Sequence, residues 1–221
     1  DRTMLQSTVD RISPLIPPEN VWVITNDRYV DLVQEQLPNV PAQNIVGEAV
    51  AKNTGPCVAA AAALVQAKDP DGTMVVLPAD HVITEPDTFL SILETAESKA
   101  EDGESLVTIG INPDHPETGY GYIEFNSDAT ETHNDREVKR VNQFREKPDI
   151  ETAREFLDAG NYLWNSGMFV WQASTILKQF EEHLPSVYSE VEKLKPSIGG
   201  DTQKEAIDEF YHGCPNISVD Y

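Results

Sequence analysis

The sequence predicts an α/β fold on a mixed, mostly parallel central sheet, and two observations predict it. Short apolar runs such as Val21-Trp22-Val23-Ile24 and Thr73-Met74-Val75-Val76 recur through the first half, as expected of strands buried on both faces. Segments with helical apolar spacing separate these runs, so strand and helix alternate, the pattern of βαβ units with right-handed crossovers. The second half departs from this pattern. Residues 120–126 and 137–144 read as strands with no long helix between them, which adds a different kind of strand to the sheet.

Taken in order, residues 3–15 show helical spacing at Leu5, Val9 and Ile12 and stop at Pro14, Pro17 and Pro18. Residues 21–25 form the first strand, 28–37 a helix and 44–46 the second strand. Asn53-Thr54 then caps a helix with Pro56 in its first turn and an alanine-rich body reaching Lys68. Its small side chains allow close packing on a sheet. A strand at 73–77, a helix at 88–100 and a strand at 106–111 complete the alternation. Residues 126–136 read as a polar hairpin connection, and 150–159 as a helix closed by Gly160. The polar group Trp164-Asn165-Ser166-Gly167 reads as a turn before the strand Phe169-Val170-Trp171. Helices at 174–180, 187–194 and 204–210 follow. No repeat or low-complexity linker interrupts the chain, so a single domain over residues 1–221 is expected.

Composition narrows the partners. The chain carries 38 acids against 16 bases, a net charge of −22, and so repels nucleic acid and anionic membrane. The same bias suits a protein working in high salt, where self-repulsion is screened. Cys57 and Cys214 have no metal-ligand spacing, which argues against a zinc site. Cys57 beside an alanine run reads as a small buried apolar residue. The longest apolar run, residues 57–65, is too short to span a bilayer. A reducing, cytoplasmic setting is the expectation.

Four stretches can carry chemistry. Pro78-Ala79-Asp80-His81 follows the third strand, and open α/β sheets bind ligands at the carboxyl ends of strands. A lone Asp80 there suits Mg²⁺, which takes a carboxylate together with substrate phosphates; it equally suits a cap on the next segment. Gly119-Tyr120-Gly121 lets backbone approach a ligand, or simply turns into an edge strand. Glu146-Lys147-Pro148 lies in a stretch holding five of the sixteen basic residues, Arg136, Lys139, Arg140, Arg145 and Lys147. In so acidic a chain a cationic patch gives an anion somewhere to land, although a solvated Glu–Lys pair has little energetic worth. In an extended segment Glu146 and Lys147 face opposite sides, so both reach one ligand only if Pro148 turns the chain. Glu48 leads into the Asn53-Thr54 helix start, which can receive an anion or a polar ring, or be an ordinary cap.

With these motifs in place, the sequence closely resembles the mannose-1-phosphate guanylyltransferases, a branch of the sugar nucleotidyltransferases. The matching residues are Glu48 with Asn53-Thr54, Pro78 to His81, Thr108 to Ile111, Pro116 to Ile123 (PETGYGYI), Glu146-Lys147-Pro148, Trp164 to Phe169 (WNSGMF) and Ser218-Val219-Asp220-Tyr221. The resemblance implies a Rossmann-like nucleotidyltransferase domain. It implies that GTP and mannose 1-phosphate give GDP-mannose and pyrophosphate with Mg²⁺ as cofactor. Position by position, it makes Asp80 the metal ligand and puts Pro78 and Ala79 near the nucleoside, with Glu48, Asn53 and Thr54 on the base side. Gly121, Glu146, Lys147 and Asn165 fall to the sugar, with Lys147 on its phosphate. Asp80 and Lys147 are then the catalytic pair, and a homodimer is the expected assembly.

The sequence departs from the family in four ways. The glycine-rich triphosphate loop would precede Asp1, and a second metal-binding Asp would follow Tyr221. Ala49 and Lys52 stand where the family has Pro and Arg, and Lys lacks the bidentate fork of Arg. These 221 residues are therefore expected to be a piece trimmed at both ends, weak or inactive alone. A nucleotidyltransferase of other specificity, for example for glucose 1-phosphate with UTP or dTTP, and a non-catalytic sugar-nucleotide-binding module are the competing readings.

Overall fold

The computed structural model describes residues 2–220; Tyr221, the last residue of the terminal match, lies outside them. Eight helices and seven strands are present among the described residues. They fall into two compact units that interleave along the chain. The first comprises Asp1–Met74, Ala79–Leu90 and Gln172–Tyr221, and the second Val75–Pro78 and Ser91–Trp171.

In the first unit, α1 (Met4–Ile12) opens with a capping box: the Thr3 hydroxyl accepts from the Gln6 amide and the Gln6 side chain accepts from the Thr3 amide. Strand β1 (Val23–Asn26) pairs in parallel with β2 (Ile45–Glu48), joined through α2 (Val30–Gln36). The residues of β1 are only half-buried, where the sequence predicts burial on both faces. The ladder explains this, since β1 has a single partner strand.

Helix α3 (Thr54–Lys68) is the core of the unit. Ala59, Ala60, Ala62, Ala63 and Leu64 are all at most 1% exposed, so most of the helix surface is buried, and the half-buried stripe through Cys57, Ala61 and Val65 is apolar as well. Alanine makes this possible, because helices α6 (Ala173–His183) and α7 (Pro185–Leu194) both pack against it. Helix α8 (Gln203–Gly213) packs on α7 and reaches β2.

The larger sheet is mostly antiparallel and, but for residues 73–74 and Gln172, belongs to the second unit. Strands β3 (Thr73–Val76), β7 (Tyr162–Gln172), β5 (Tyr122–His133) and β6 (Arg136–Arg145) lie in that order, and β4 (Val107–Ile111) also pairs with β7. β4–β7, β5–β7 and β5–β6 are antiparallel. Strand directions are mixed, as the sequence predicts, but this sheet is mostly antiparallel where the sequence predicts mostly parallel, because β5 pairs with β6 and β7 without the alternating crossovers of the first half. Two corrections follow. The 126–136 connection is strand for most of its length, with its turn confined to Asn134 (φ 47°) and Asp135 (φ 60°), the left-handed pair a tight hairpin requires. Trp164 to Gly167 is not a turn before the strand but a bulge inside β7. Thr108 faces Phe169 while Gly110 faces Asn165, so two extra residues of β7 are accommodated.

Helix α4 (Pro86–Ala100) precedes β4, and α5 (Ile150–Ala159) precedes β7. Asp149 caps α5 through the Thr152 amide, and Gly160 (φ 71°) ends it in the left-handed conformation, as predicted. Phe156 of α5 meets Tyr122, Trp164 and Ala153 in a buried cluster and stacks on Tyr162 at 4.0 Å.

Candidate functional site

Ten residues carry the sequence-based expectations, and each unit holds five of them. Glu48, Asn53, Thr54, Ala79 and Asp80 lie in the first; Pro78, Gly121, Glu146, Lys147 and Asn165 lie in the second.

The second unit gathers its residues tightly. The β7 bulge is held from inside. The Gly167 amide donates to Asn165 Oδ1 at 3.0 Å, Met168 N donates to Ser166 Oγ at 3.2 Å, and Ser166 Oγ donates to the Ile109 carbonyl at 2.5 Å. Gly167 takes φ 69°, which a side chain would strain. Pro78 lies alongside, 3.6 Å from where a Gly167 Cβ would stand. The bulge leaves Asn165 half-buried beside Gly121, whose carbonyl accepts from the Asn165 amide at 2.8 Å.

Gly121 is the meeting point. A methyl group there would sit 3.1 Å from Glu146 Oε2 and 3.5 Å from Asn165 Cβ. Glycine here leaves the backbone bare between two polar side chains, and a methyl would have to push the Glu146 carboxylate aside by a few tenths of an ångström. Glu146 and Lys147 do meet: Lys147 Nζ donates to Glu146 Oε1 at 2.6 Å. The turn that allows this falls at Lys147 itself (φ 40°) and not at Pro148. A residue before proline normally stays extended, so Lys147 is held against its preference. Both side chains are substantially exposed, Lys147 at 63% and Glu146 at 44%. Their pairing is an exposed one, readily exchanged for a ligand.

The aromatic residues beneath anchor this cluster. Trp164, next to Asn165, is met edge-on by His115 at 5.0 Å and by Tyr120 at 5.3 Å. Tyr122, next to Gly121, donates its hydroxyl to the Glu117 carbonyl and accepts from the Glu117 amide, stapling the PETG loop. Carboxylates surround His115 and raise its pKa, the bond to Asp114 most strongly and then Glu117, with desolvation opposing.

In the first unit, Glu48 ends β2 and is half-buried. Burial raises its carboxyl above the ordinary 4.5, while the Tyr211 phenol of α8 pulls the other way. Burial wins because the Tyr211 hydroxyl, itself wholly buried, makes no hydrogen bond of ordinary geometry among the described residues. Gly47 lets Asp27 press against the strand just before Glu48. Cys57 lies close by, its thiol pushed up to about 12 by burial and then by Glu48, so it is an inert thiol. Asn53 adopts φ 68° and ψ −174°, a region normally reserved for glycine, and its side chain accepts from the Thr54 amide at 2.8 Å. The helix start is partly taken, since the Gly55 amide donates to the Ile217 carbonyl. Ser218 belongs to the terminal matching motif but takes no role from the sequence, and Tyr211, on α8, carries no local signal that would single it out.

Asn53, Asn134, Asp135 and Lys147 are the non-glycine residues at positive φ among those described. Two form a hairpin turn; the other two are expected site residues. Backbone strain is therefore concentrated where ligand contacts are expected.

Asp80 follows β3, 79% exposed, with His81 Nε2 at 3.9 Å. No group of three or more metal-ligating side chains exists among the described residues. A single exposed carboxylate fits a hard ion shared with substrate phosphates and does not fit an all-protein metal cage. Cys57 and Cys214 are free thiols. No described helix is long and apolar enough to cross a membrane.

Comparison with known proteins finds relatives along the whole chain. The mannose-1-phosphate guanylyltransferase RfbM of Salmonella typhimurium is 42% identical over 99% of this chain, which covers 45% of that relative. A mannose-1-phosphate guanylyltransferase of Escherichia coli is 39% identical over the whole chain, which covers 47% of it. The chain thus spans about half the length of the curated relatives it matches. Among solved structures, one from Thermus thermophilus, described as a mannose-1-phosphate geranyltransferase, superposes with a TM-score of 0.84 at 29% identity. That match covers 100% of this chain and 60% of the other. A Helicobacter pylori structure described as mannose-6-phosphate isomerase gives 0.79 at 24% identity, covering 99% of this chain and 82% of that one, and speaks for the fold alone. The family pattern described as nucleotidyl transferase matches residues 1–203, and the chain belongs to that family.

Proposed function

We propose that the protein carrying this chain transfers a guanylyl group from GTP to mannose 1-phosphate, giving GDP-mannose and pyrophosphate. The observation that carries this reading is the convergence of Gly121, Glu146, Lys147 and Asn165 around one patch of bare backbone. The names of the relatives support the choice of substrates.

The reaction needs no protein nucleophile. A phosphate oxygen of mannose 1-phosphate forms a bond to the α-phosphorus of GTP, and the bond from that phosphorus to the β-bridging oxygen breaks, releasing pyrophosphate. The protein supplies position and charge. Lys147 offers a point charge to the sugar phosphate, released from its exposed pairing with Glu146. Glu146 then accepts hydrogen bonds from sugar hydroxyls, the Asn165 side chain contacts the ring, and Gly121 lets the sugar approach backbone. On the base side Glu48 is an acceptor for the adjacent N–H donors of guanine, an edge that adenine lacks; Asn53 and Thr54 line the same side. Pro78 and Ala79 border the nucleoside. Asp80 would hold Mg²⁺, which when bound neutralises triphosphate charge. A cytoplasmic homodimer belongs to the same proposal, and size-exclusion chromatography of the complete protein checks the assembly.

Lys52 and Ala49, in place of Arg and Pro, favour one second reading, the same transfer with another nucleotide. Pyrophosphate release by the complete protein with mannose 1-phosphate and each of GTP, ATP, UTP and dTTP separates the two. Release mainly with GTP supports the proposal; release mainly with another nucleotide replaces it with the second reading.

A further inference from the structure

The segment after α8 is folded back onto the start of α3. Ile217 N donates to the Lys52 carbonyl at 3.2 Å, and Gly55 N donates to the Ile217 carbonyl at 2.9 Å. One residue of the segment thus bridges both sides of Asn53-Thr54. The approach is close enough that a Cβ on Gly55 would lie 2.8 Å from the Ile217 oxygen.

Side chains complete the clasp with a defined direction. Ser218 Oγ donates to Asp220 Oδ2 at 2.7 Å, which uses its only proton. At 3.0 Å from Thr54 Oγ1 it must therefore accept, and Thr54 donates. Thr54 Oγ1 in turn accepts from the Val219 amide at 3.0 Å. The chain of bonds runs Val219 to Thr54 to Ser218 to Asp220.

Asn53 sits inside this clasp in a strained conformation, which persists only where its surroundings over-determine it. The backbone groups on either side, the Lys52 carbonyl and the Gly55 amide, are both fixed by Ile217. The clasp therefore holds the backbone on both sides of Asn53-Thr54, where the loop from Glu48 enters α3.

We propose that Ile217 to Val219, with Ser218 as the lock on Thr54, are positioning residues that set nucleotide affinity and base selectivity. This rests on the nucleotidyl-transfer reading above and assigns a role to the segment that follows α8. Such a role shifts nucleotide KM and leaves sugar-phosphate KM and kcat alone, whereas a merely structural role lowers active protein without splitting the two KM values.

The test uses Ser218→Ala, Ser218→Thr and Ser218→Cys in the complete protein, with steady-state kinetics, fluorescent GTP-analogue binding and thermal melting. Ser218→Ala and Ser218→Cys should each raise the KM for GTP about 5- to 10-fold and lower the GTP-over-ATP preference. The KM for mannose 1-phosphate and kcat should stay within about twofold. Ser218→Thr keeps the hydroxyl and should restore most of the GTP affinity. Should Ser218→Ala not fold, Ser218→Cys, whose thiol is only a weak donor and acceptor, gives the same readout. An active wild type whose variants raise both KM values equally, or neither, overturns the inference and leaves the transferase reading intact. A wild type that neither turns over nor binds any nucleotide overturns the reading and the inference together.

Discussion

Glu48 illustrates how a half-buried acid ties stability to pH. Burial raises its folded pKa above the ordinary 4.5, so the folded chain holds that proton more tightly than the unfolded one. Its favourable contribution is complete below about pH 4.5 and fades as pH rises through the folded value. Glu48→Gln removes this titration. The melting temperature of the variant should exceed that of wild type at about pH 7 and match it near pH 4, in paired thermal melts. If Glu48 also reads the base, GTP binding should weaken in the same variant. Asn53 offers a second residue-scale prediction. Asn53→Gly relieves a strained backbone worth about 1–3 kcal/mol and gives up a cap worth a few tenths, so urea denaturation should show stabilisation of about 1 kcal/mol. At Gly121 the prediction is functional. An added methyl 3.1 Å from Glu146 Oε2 should displace Glu146 and raise the KM for mannose 1-phosphate about tenfold, roughly 1.4 kcal/mol, with little change in the KM for GTP.

Among elements, α5 and the β7 bulge together decide how rigid the proposed sugar side is. Phe156, Tyr122 and Trp164 join them, and Tyr122 and Trp164 are the direct neighbours of Gly121 and Asn165. Phe156→Ala should cost about 3–5 kcal/mol in chemical denaturation and, where the protein still folds, weaken mannose 1-phosphate more than GTP. The elements legible in the sequence are those whose signals are local. The Asn53 cap of α3, the Gly160 stop of α5 and the proline arrest after α1 all act within a turn of the residue that writes them. The bulge is not legible, because its two extra residues exist only against the register of β4, more than fifty positions earlier. The same holds for the hairpin, where residues 130–133 read as a connection yet are carried as strand by their pairing with β6, and 127–129 bulge out of the ladder. The site residues are legible as types and spacings. Their assembly is not: the turn at Lys147 and the Ser218–Thr54 bond, 164 positions apart, appear only in three dimensions.

For the molecule as a whole, a net charge of −22 on 221 residues sets the conditions under which it is stable. Like charges across each surface repel, and salt shortens the reach of that repulsion from about 30 Å at 0.01 M to about 3 Å at 1 M. The melting temperature should climb between those concentrations of sodium chloride; a flat or falling curve would mean that the existing ion pairs, such as Lys99 with Glu131 and Asp102, already balance the excess acid. Whether the sugar-side cluster and Asp80 serve one guanylyl transfer is decided by measuring GDP-mannose formed from GTP and mannose 1-phosphate by the complete protein, alongside Lys147→Ala and Asp80→Ala. GDP-mannose is expected from the wild type, with about a hundredfold less, or lower still, from each variant at unchanged melting temperature. No GDP-mannose from well-folded wild type, or wild-type rates from both variants, would refute that assignment.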